Sequence, residues 1–517
     1  MVAARPETGA GREPPGAPVL HASPAPAGSP DPLVASVLTR GDARLALDAH
    51  QLRRLSERLE AGVQRARRRG RPTLVALTIA VGGEVDPSAV VCASRRAGEP
   101  WMAWEQPDRR RAALGALGEV TSIEASGPDR FSSVAARWRA LAADAVCDPP
   151  DGETACGPVA VGGFSFAPEG GRAHHWASFR PASMVVPEVA IARAERDGHA
   201  DVRLTLSALA GPDDTVEDLL AHLLARVAEL RQSPLPLLDP APAGRFSVVS
   251  DMPPEHYGAA VARAVELIRA GRLDKVVLAR EVQVRAPVPY DAAAVFSVLR
   301  EAFPSCFVFC VGRGSCTLVA ASPELLVRRQ GMRVSTMALA GSARRSADPA
   351  VDDHLAEQLL HSEKDRGEHA IVTRRIERTL RQHALWVTAA PEPTVVKMAN
   401  IQHLATPIRA QLARPIDAVE LTGVMHPTPA VGGEPLAVAA PLIPALEGLD
   451  RGWYAGPVGW TDVNGDGEFC VALRCALLNG DVARCYVGVG VVRDSDPEAE
   501  LAETETKLAA LLPVLAG

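Results

Sequence analysis

Long apolar runs are missing from this chain of 517 residues. The best apolar stretch, residues 73–81, ends at Gly82-Gly83. That is well short of the about 20 residues a helix needs to cross a bilayer, so no transmembrane span is expected. An apolar segment is equally absent after Arg5 and Arg12, where Ala, Pro, Gly and polar residues follow, and no secretory signal is visible. None of the nine cysteines forms a CxxC pair, which argues against a disulfide scaffold and a zinc ribbon. Cys306 and Cys310 fall in the strand-like CFVFCV, where four residues span about 13 Å, too far for two ligands of one ion. There is no excess of positive charge either. A formal charge of -7 speaks against general binding to nucleic acid or an anionic membrane, while leaving room for a locally positive cleft. A cytoplasmic protein is the expectation. What remains is 47% apolar and 23% charged, the profile of a globular chain long enough for a large core.

Residues 1–32 are rich in Pro, Ala and Gly without periodicity and are expected to be disordered. From 33 to 244 strands and helices alternate. Residues 74–81 and 161–168 have strand character, a hairpin is expected across Gly198, and residues 215–231 carry an apolar helical stripe. The Pro-rich segment 232–244 ends this part as a linker. In 245–517, Tyr257, Val261, Val265 and Ile268 mark an amphipathic helix that stops at Gly271. KVVLAREVQV, FVFCV and TLVAAS follow as strands with a helix near 292–303. One long polar helix is expected over 352–381. Further strands are expected around Val458, over 470–477 and over 485–492, then a final helix with Asp496 as N-cap and Pro497 at its first position. This order favours an α+β fold over a doubly wound sheet.

Three motifs are set aside. DVNGDGEF at 462–469 begins like a calcium loop, but its twelfth position is Leu473, so it reads as a hairpin turn. GVGVVR at 488–493 lacks the last Gly of a dinucleotide fingerprint. The basic run 65–71 reads as a solvated helix end.

Four segments carry residues suited to chemistry. Lys275 opens an apolar strand; snorkelling to solvent is the ordinary outcome, whereas burial would make it a general base. Glu324 follows Pro323 ahead of an apolar run, either as an exposed strand end or as a carboxylic acid kept protonated by an apolar pocket. In SEKDRGEHAIV, Asp365 and Glu368 share a helical face, and in EAELAETETK the i, i+3 pair Glu500 and Glu503 repeats that spacing before Lys507. Two such faces suit one hard cation.

Together, KVVLAR, ASPELL, LAGSARR, SEKDRGEH, HLATPI, HPTPAVGG, GPVGW, VALRCA and VGVGVV stand in an order that resembles the chorismate-binding family. The resemblance is close from about Tyr257 to Leu511 and loose before it, through GGFSF. It implies two antiparallel sheets packed together, surrounded by helices, with a deep active cleft. It also implies roles. Lys275 is the base that activates water for attack at C2 of chorismate, and Glu324 is the acid that protonates the departing 4-hydroxyl. Glu368 and Glu503 hold Mg²⁺, with Glu500 beside them or acting through water. Arg474, Tyr486, Lys507 and the backbone of Gly488 contact substrate carboxylates. Gly341 lies beside the ring in the LAGSARR turn with Ser342 next to it, while His403 and Ala430 line the pocket.

Within the family, a lysine at 275 favours water over ammonia as nucleophile, and the LLES-type motif of the anthranilate branch is absent. HPTPAVGG with Ala430 is like the isochorismate-forming branch. The expected activity is therefore an isomerase converting chorismate to isochorismate for menaquinone, siderophore or salicylate synthesis. The alternatives are salicylate formation and an inactive chorismate-binding regulatory subunit. Gly432-Gly433 and Glu434 depart from the family pattern near the pocket. A monomer without nucleic-acid or membrane partners completes the expectation.

Overall fold

The computed structural model describes residues 42–148, 155–239 and 243–516. The segment 1–32 and part of the 232–244 linker fall outside these residues; described linker residues 232–239 have no regular structure. Among the described residues no helix is long and apolar enough to cross a membrane.

Two large antiparallel sheets form the frame, as the resemblance implies. The first, of 12 strands, runs from Thr73–Val81 at one edge to Lys275–Arg285 and the short Gly433–Glu434 at the other. The second, of 10 strands, runs from Ala384–Ala389 through Arg333–Arg344 and Pro457–Asp462 to Thr121–Ala125. Both sheets take strands from either side of residue 245.

Both faces of the 12-stranded sheet are covered, which explains why its strands lack a polar alternation. In Phe307–Gly314, Phe307, Phe309 and Val311 enter the core between the sheets, whereas Val308 and Cys310 enter a second core under the helices. The period of two splits one apolar run between two cores. Cys306 and Cys310 are buried and free, as are Cys316, Cys470, Cys475 and Cys485.

The hairpin at Gly198, the helix Val216–Glu229 with Thr215 as cap, and the final helix Pro497–Leu508 capped by Asp496 all form as the sequence predicts. Residues 462–467 make the expected hairpin turn, with Asp462 Oδ1 accepting from the amides of Asn464 and Asp466. The basic run ends the helix Ala49–Arg69, where Arg65 and Arg67 donate to backbone carbonyls and Arg69 pairs with Asp144.

Three expectations need correction. The single helix over 352–381 is two, Pro349–His361 and Glu363–Arg381. Ser362 between them takes an extended ψ and caps the second helix by accepting from Asp365 N, which breaks the first. The single strand over 470–477 is also two: Gly467–Val471 lies in one sheet and Cys475–Asn479 in the other, with Arg474 at φ 47 in the crossover. Finally, LAGSARR is no turn. It continues the strand Arg333–Arg344, with a bulge between Ala340 and Ser342 and Gly341 at φ 76.

Candidate active site

Two crossovers between the sheets lie side by side. The first, Pro323-Glu324, joins Cys316–Ser322 to Leu325–Gln330; the second is the 472–474 segment. They are tied by Val471 N to Glu324 O at 3.0 Å, Ala321 N to Arg474 O at 3.1 Å, and Ser322 Oγ to Val471 O. A chain that changes sheets turns its side chains into the space between them. Glu324 and Arg474 thereby enter one cleft.

The 12-stranded sheet supplies one wall. In Val482–Val491, Tyr486, Gly488 and Gly490 share a face, and all three line the cleft. Tyr486 stacks on Tyr454 at 5.4 Å between ring centroids. Gly490 makes room for the neighbouring strand's first residue: a Cβ there would lie 2.2 Å from Glu368 Oε1 and 2.8 Å from Lys275 Cε. Lys275 is 1% exposed and does not snorkel. Its Nζ meets Glu368 Oε1 at 2.8 Å. The edge strand Gly433–Glu434 closes over its backbone, and a Cβ on Gly433 would sit 2.5 Å from Lys275 O. Here the second glycine of the pair has its physical reason. Glu434 points its charge elsewhere, to Arg378 at 2.6 Å.

The 10-stranded sheet and two helices supply the rest. Gly341 O accepts from His403 Nδ1 at 3.2 Å, and His403 Nε2 accepts from Arg474 Nη2 at 3.1 Å. Burial, Arg474 and Lys507 push the His403 pKa down to about 3, so the ring is neutral and orients Arg474. Ser342 Oγ donates to Glu503 Oε1 at 2.6 Å, and Lys507 Nζ pairs with Glu503 at 2.7 Å while donating to Gly488 O at 3.1 Å. Burial would raise the Glu503 carboxyl, but Lys507 and Ser342 outweigh it and hold it down at about 2. Glu324 is the opposite case. It is 4% exposed, and burial lifts its pKa to about 8 against Lys275, Lys507 and the Thr428 hydroxyl.

Of the residues singled out in the sequence, Glu324, Gly341, Ser342, Glu368, His403, Ala430, Arg474, Tyr486, Gly488, Glu503 and Lys507 line this one cleft. Lys275 reaches it through Glu368. Glu500 does not line it: the residue is 2% exposed and pairs with Lys364 at 2.8 Å. Asp365 does not line it either; one of its oxygens accepts from Ser362 Oγ. Three carboxylates thus each have their own lysine: Glu368 with Lys275, Glu500 with Lys364, and Glu503 with Lys507. Among the described residues no three acidic, His or Cys groups converge on a common point.

Sequence reasoning missed several residues that shape this cleft. Thr428 bonds Glu324, and Gly490 clears space. Behind the wall, Arg451 forks onto Glu447 at 2.5 and 3.0 Å and donates to Val277 O at 3.0 Å and Val431 O at 2.8 Å. Glu447 in turn accepts from Ala279 N at 2.7 Å. This buried pair clamps the lysine-bearing strand to the 426–433 loop. The lysines had a legible signal. The chain holds 4 lysines against 51 arginines, and Lys275, Lys364 and Lys507 are three of the four. A compact ammonium is kept where a planar fork does not serve.

A family model described as chorismate binding enzyme matches residues 61–516. The salicylate biosynthesis isochorismate synthase of Pseudomonas aeruginosa is 36% identical over 475 residues, 92% of this chain and 97% of that protein. Isochorismate synthase MenF of Bacillus subtilis is 32% identical over 419 residues, 80% of this chain and 87% of its own length. Among solved structures, MenF, the menaquinone-specific isochorismate synthase from Escherichia coli, superposes with a TM-score of 0.70 at 25% identity, covering 88% of this chain and 99% of that one. Fold, cleft and extent of match agree: the chain belongs to the chorismate-binding enzyme family.

Proposed function

We propose that this protein is an isochorismate synthase, an isomerase that adds water at C2 of chorismate as the 4-hydroxyl leaves. The observation that carries the reading is the pair Lys275 and Glu324. Both are buried, and they are close enough that the lysine acts on the carboxyl's titration. Hydroxyl exchange needs a base for the incoming water and an acid for the departing hydroxyl. Glu324, with its pKa raised to about 8, holds a proton at neutral pH and can give it to the 4-hydroxyl. Lys275 leaves its contact with Glu368, releases its ammonium proton to solvent, and as the free amine takes the proton of the attacking water.

Chorismate is a dianion, and in this reading its carboxylates are taken by Arg474, Lys507 and the Gly488 backbone, all of which line the cleft. Mg²⁺ fits the remaining donors. Glu368 and Glu503 are oxygen ligands with an oxygen beyond the one their lysine holds, and Glu500 stands behind them for contact through water. The ion supplies fixed positive charge for the ring carboxylate. Mn²⁺ suits the same oxygens.

The test is a product assay with purified protein and chorismate, with and without Mg²⁺ and ammonia, resolved by chromatography. Isochorismate appearing only with metal and independent of ammonia supports the reading. Salicylate with pyruvate moves the activity one step along, and bound chorismate without turnover leaves a binding subunit.

A further inference from the structure

Behind the wall that carries Thr428 and Tyr454 lies a second cavity of about 1730 Å³, mouth included. It shares two chain segments with the active cleft. His426 and Pro427 face the cavity while Ala430 and Val431 face the cleft; Arg451 and Gly452 face the cavity while Tyr454 and Ala455 face the cleft.

Three features define what this cavity can hold. Its inner wall is aromatic: Phe131 and Phe166 flank the His426 ring, each 5.8 Å away between centroids. Its charge is unbalanced. Arg130 is 4% exposed, lies 4.5 Å over the Phe131 ring, and donates to Ser165 O at 3.0 Å and Gly127 O at 3.4 Å. It makes no ion pair among the described residues; Glu169, the acid that acts on it, is exposed at the rim. Burial pushes this guanidinium down to about 10. Buried arginines are ordinarily paired with an anion, and carbonyls do not neutralise one. The third feature is a buried acceptor without a partner among the described residues. His426 Nε2 lies 2.9 Å from Phe166 O and must donate to it, which leaves Nδ1 as a lone-pair acceptor with no partner among the described residues. The ring is 9% exposed, and burial beside Arg130 holds it neutral.

We propose that this cavity is a second ligand site for a flat aromatic carboxylate bearing a hydroxyl or amino donor. The carboxylate neutralises Arg130, the ring packs against Phe131 and Phe166, and the donor meets His426 Nδ1. Occupancy is coupled to catalysis because His426 and Pro427, which line the cavity, run directly into Thr428, whose hydroxyl acts on Glu324. The ligand therefore changes kcat without competing with chorismate.

The test is calorimetric titration of the full chain with 3-hydroxybenzoate as the probe. Benzoate and 3-hydroxybenzyl alcohol are the controls that lack the donor and the anion. Ala440→Trp fills the cavity from an exposed helix position, Arg130→Met removes the cation, and Arg474→Met weakens the active cleft instead. Saturable binding at roughly millimolar Kd or tighter is expected, about tenfold weaker for each control and for Arg130→Met. It should be abolished in Ala440→Trp and kept in Arg474→Met. Binding that survives Ala440→Trp but is lost in Arg474→Met puts the probe in the active cleft and overturns the proposal, as does no saturable binding. If Arg130→Met does not fold, the Ala440→Trp comparison decides. A bound probe that leaves kcat unchanged overturns the coupling. The binding readout needs no turnover, so its failure is separate from any failure of the isochorismate assignment.

Discussion

At the scale of single residues, the cleft is an exercise in setting apart two carboxyls of the same kind. Glu503 is held ionised by Lys507 and Ser342, and Glu324 is held protonated by burial. A general acid works only below its pKa, so kcat is expected to fall as pH rises through about 8. Glu324→Gln should lower kcat by about 10²–10⁴-fold and remove that alkaline limb. The same residue sets a stability signature. Its folded pKa of about 8 lies above the ordinary glutamate value of 4.5, so the folded state keeps a proton that the unfolded state loses. Its destabilising effect therefore grows from about pH 4.5 and is complete above about 8. Thermal melts should show Glu324→Gln more stable than the wild type at pH 9 and close to it at pH 4. The reverse order at pH 9 would show that the carboxyl is ionised without strain. Gly490→Ala tests space and not charge. Its Cβ would fall 2.2 Å from Glu368 Oε1 and 2.8 Å from Lys275 Cε, so both side chains must swing out of their paired position, and turnover should drop about 100-fold with the circular dichroism spectrum unchanged.

At the scale of elements, placement depends on interruptions. Ser362 breaks one helix and starts another, and the new helix carries Glu368. Ser362→Ala should cost about 1 kcal/mol in urea unfolding; no cost would mean the break is imposed from elsewhere. The Arg451–Glu447 pair joins three backbone segments around the cleft. Arg451→Met leaves Glu447 buried without its partner and should destabilise by about 3–5 kcal/mol, measured in the same way.

These interruptions also mark where the sequence was hard to read. Periodicity located the elements themselves, including the strand that Lys275 opens and the helix that Asp496 caps. It ran straight across Ser362 and across 472–474, because a helix break with a good cap and a crossover between two buried sheets both leave the apolar pattern intact. Gly341 was recognised as special, although a bulge and not a turn requires its φ of 76.

At the scale of the whole molecule, the candidate site was legible because its residues cluster in short motifs with unusual types in apolar surroundings. The partners that hold them were not. Thr428, Arg451 and Glu447 are ordinary residues whose role comes from long-range contact, and Lys364 stood out only through the rarity of lysine in an arginine-rich chain. The first half read as a loose relative, yet the family match begins at residue 61 and strands before residue 245 fill positions in both sheets. Its buried strands obey packing more than motif, so their order in space is invisible in one sequence.

The central claim is that water enters at C2 while the 4-hydroxyl leaves, with Lys275 and Glu324 moving the protons. The most direct measurement is turnover of chorismate with Mg²⁺ in ¹⁸O-enriched water, followed by mass spectrometry and proton NMR of the product. Isochorismate carrying one solvent oxygen at C2, formed by the wild type and lost in Lys275→Ala, is the predicted result. Isochorismate that keeps the original oxygen, or undiminished turnover by Lys275→Ala, would contradict the account.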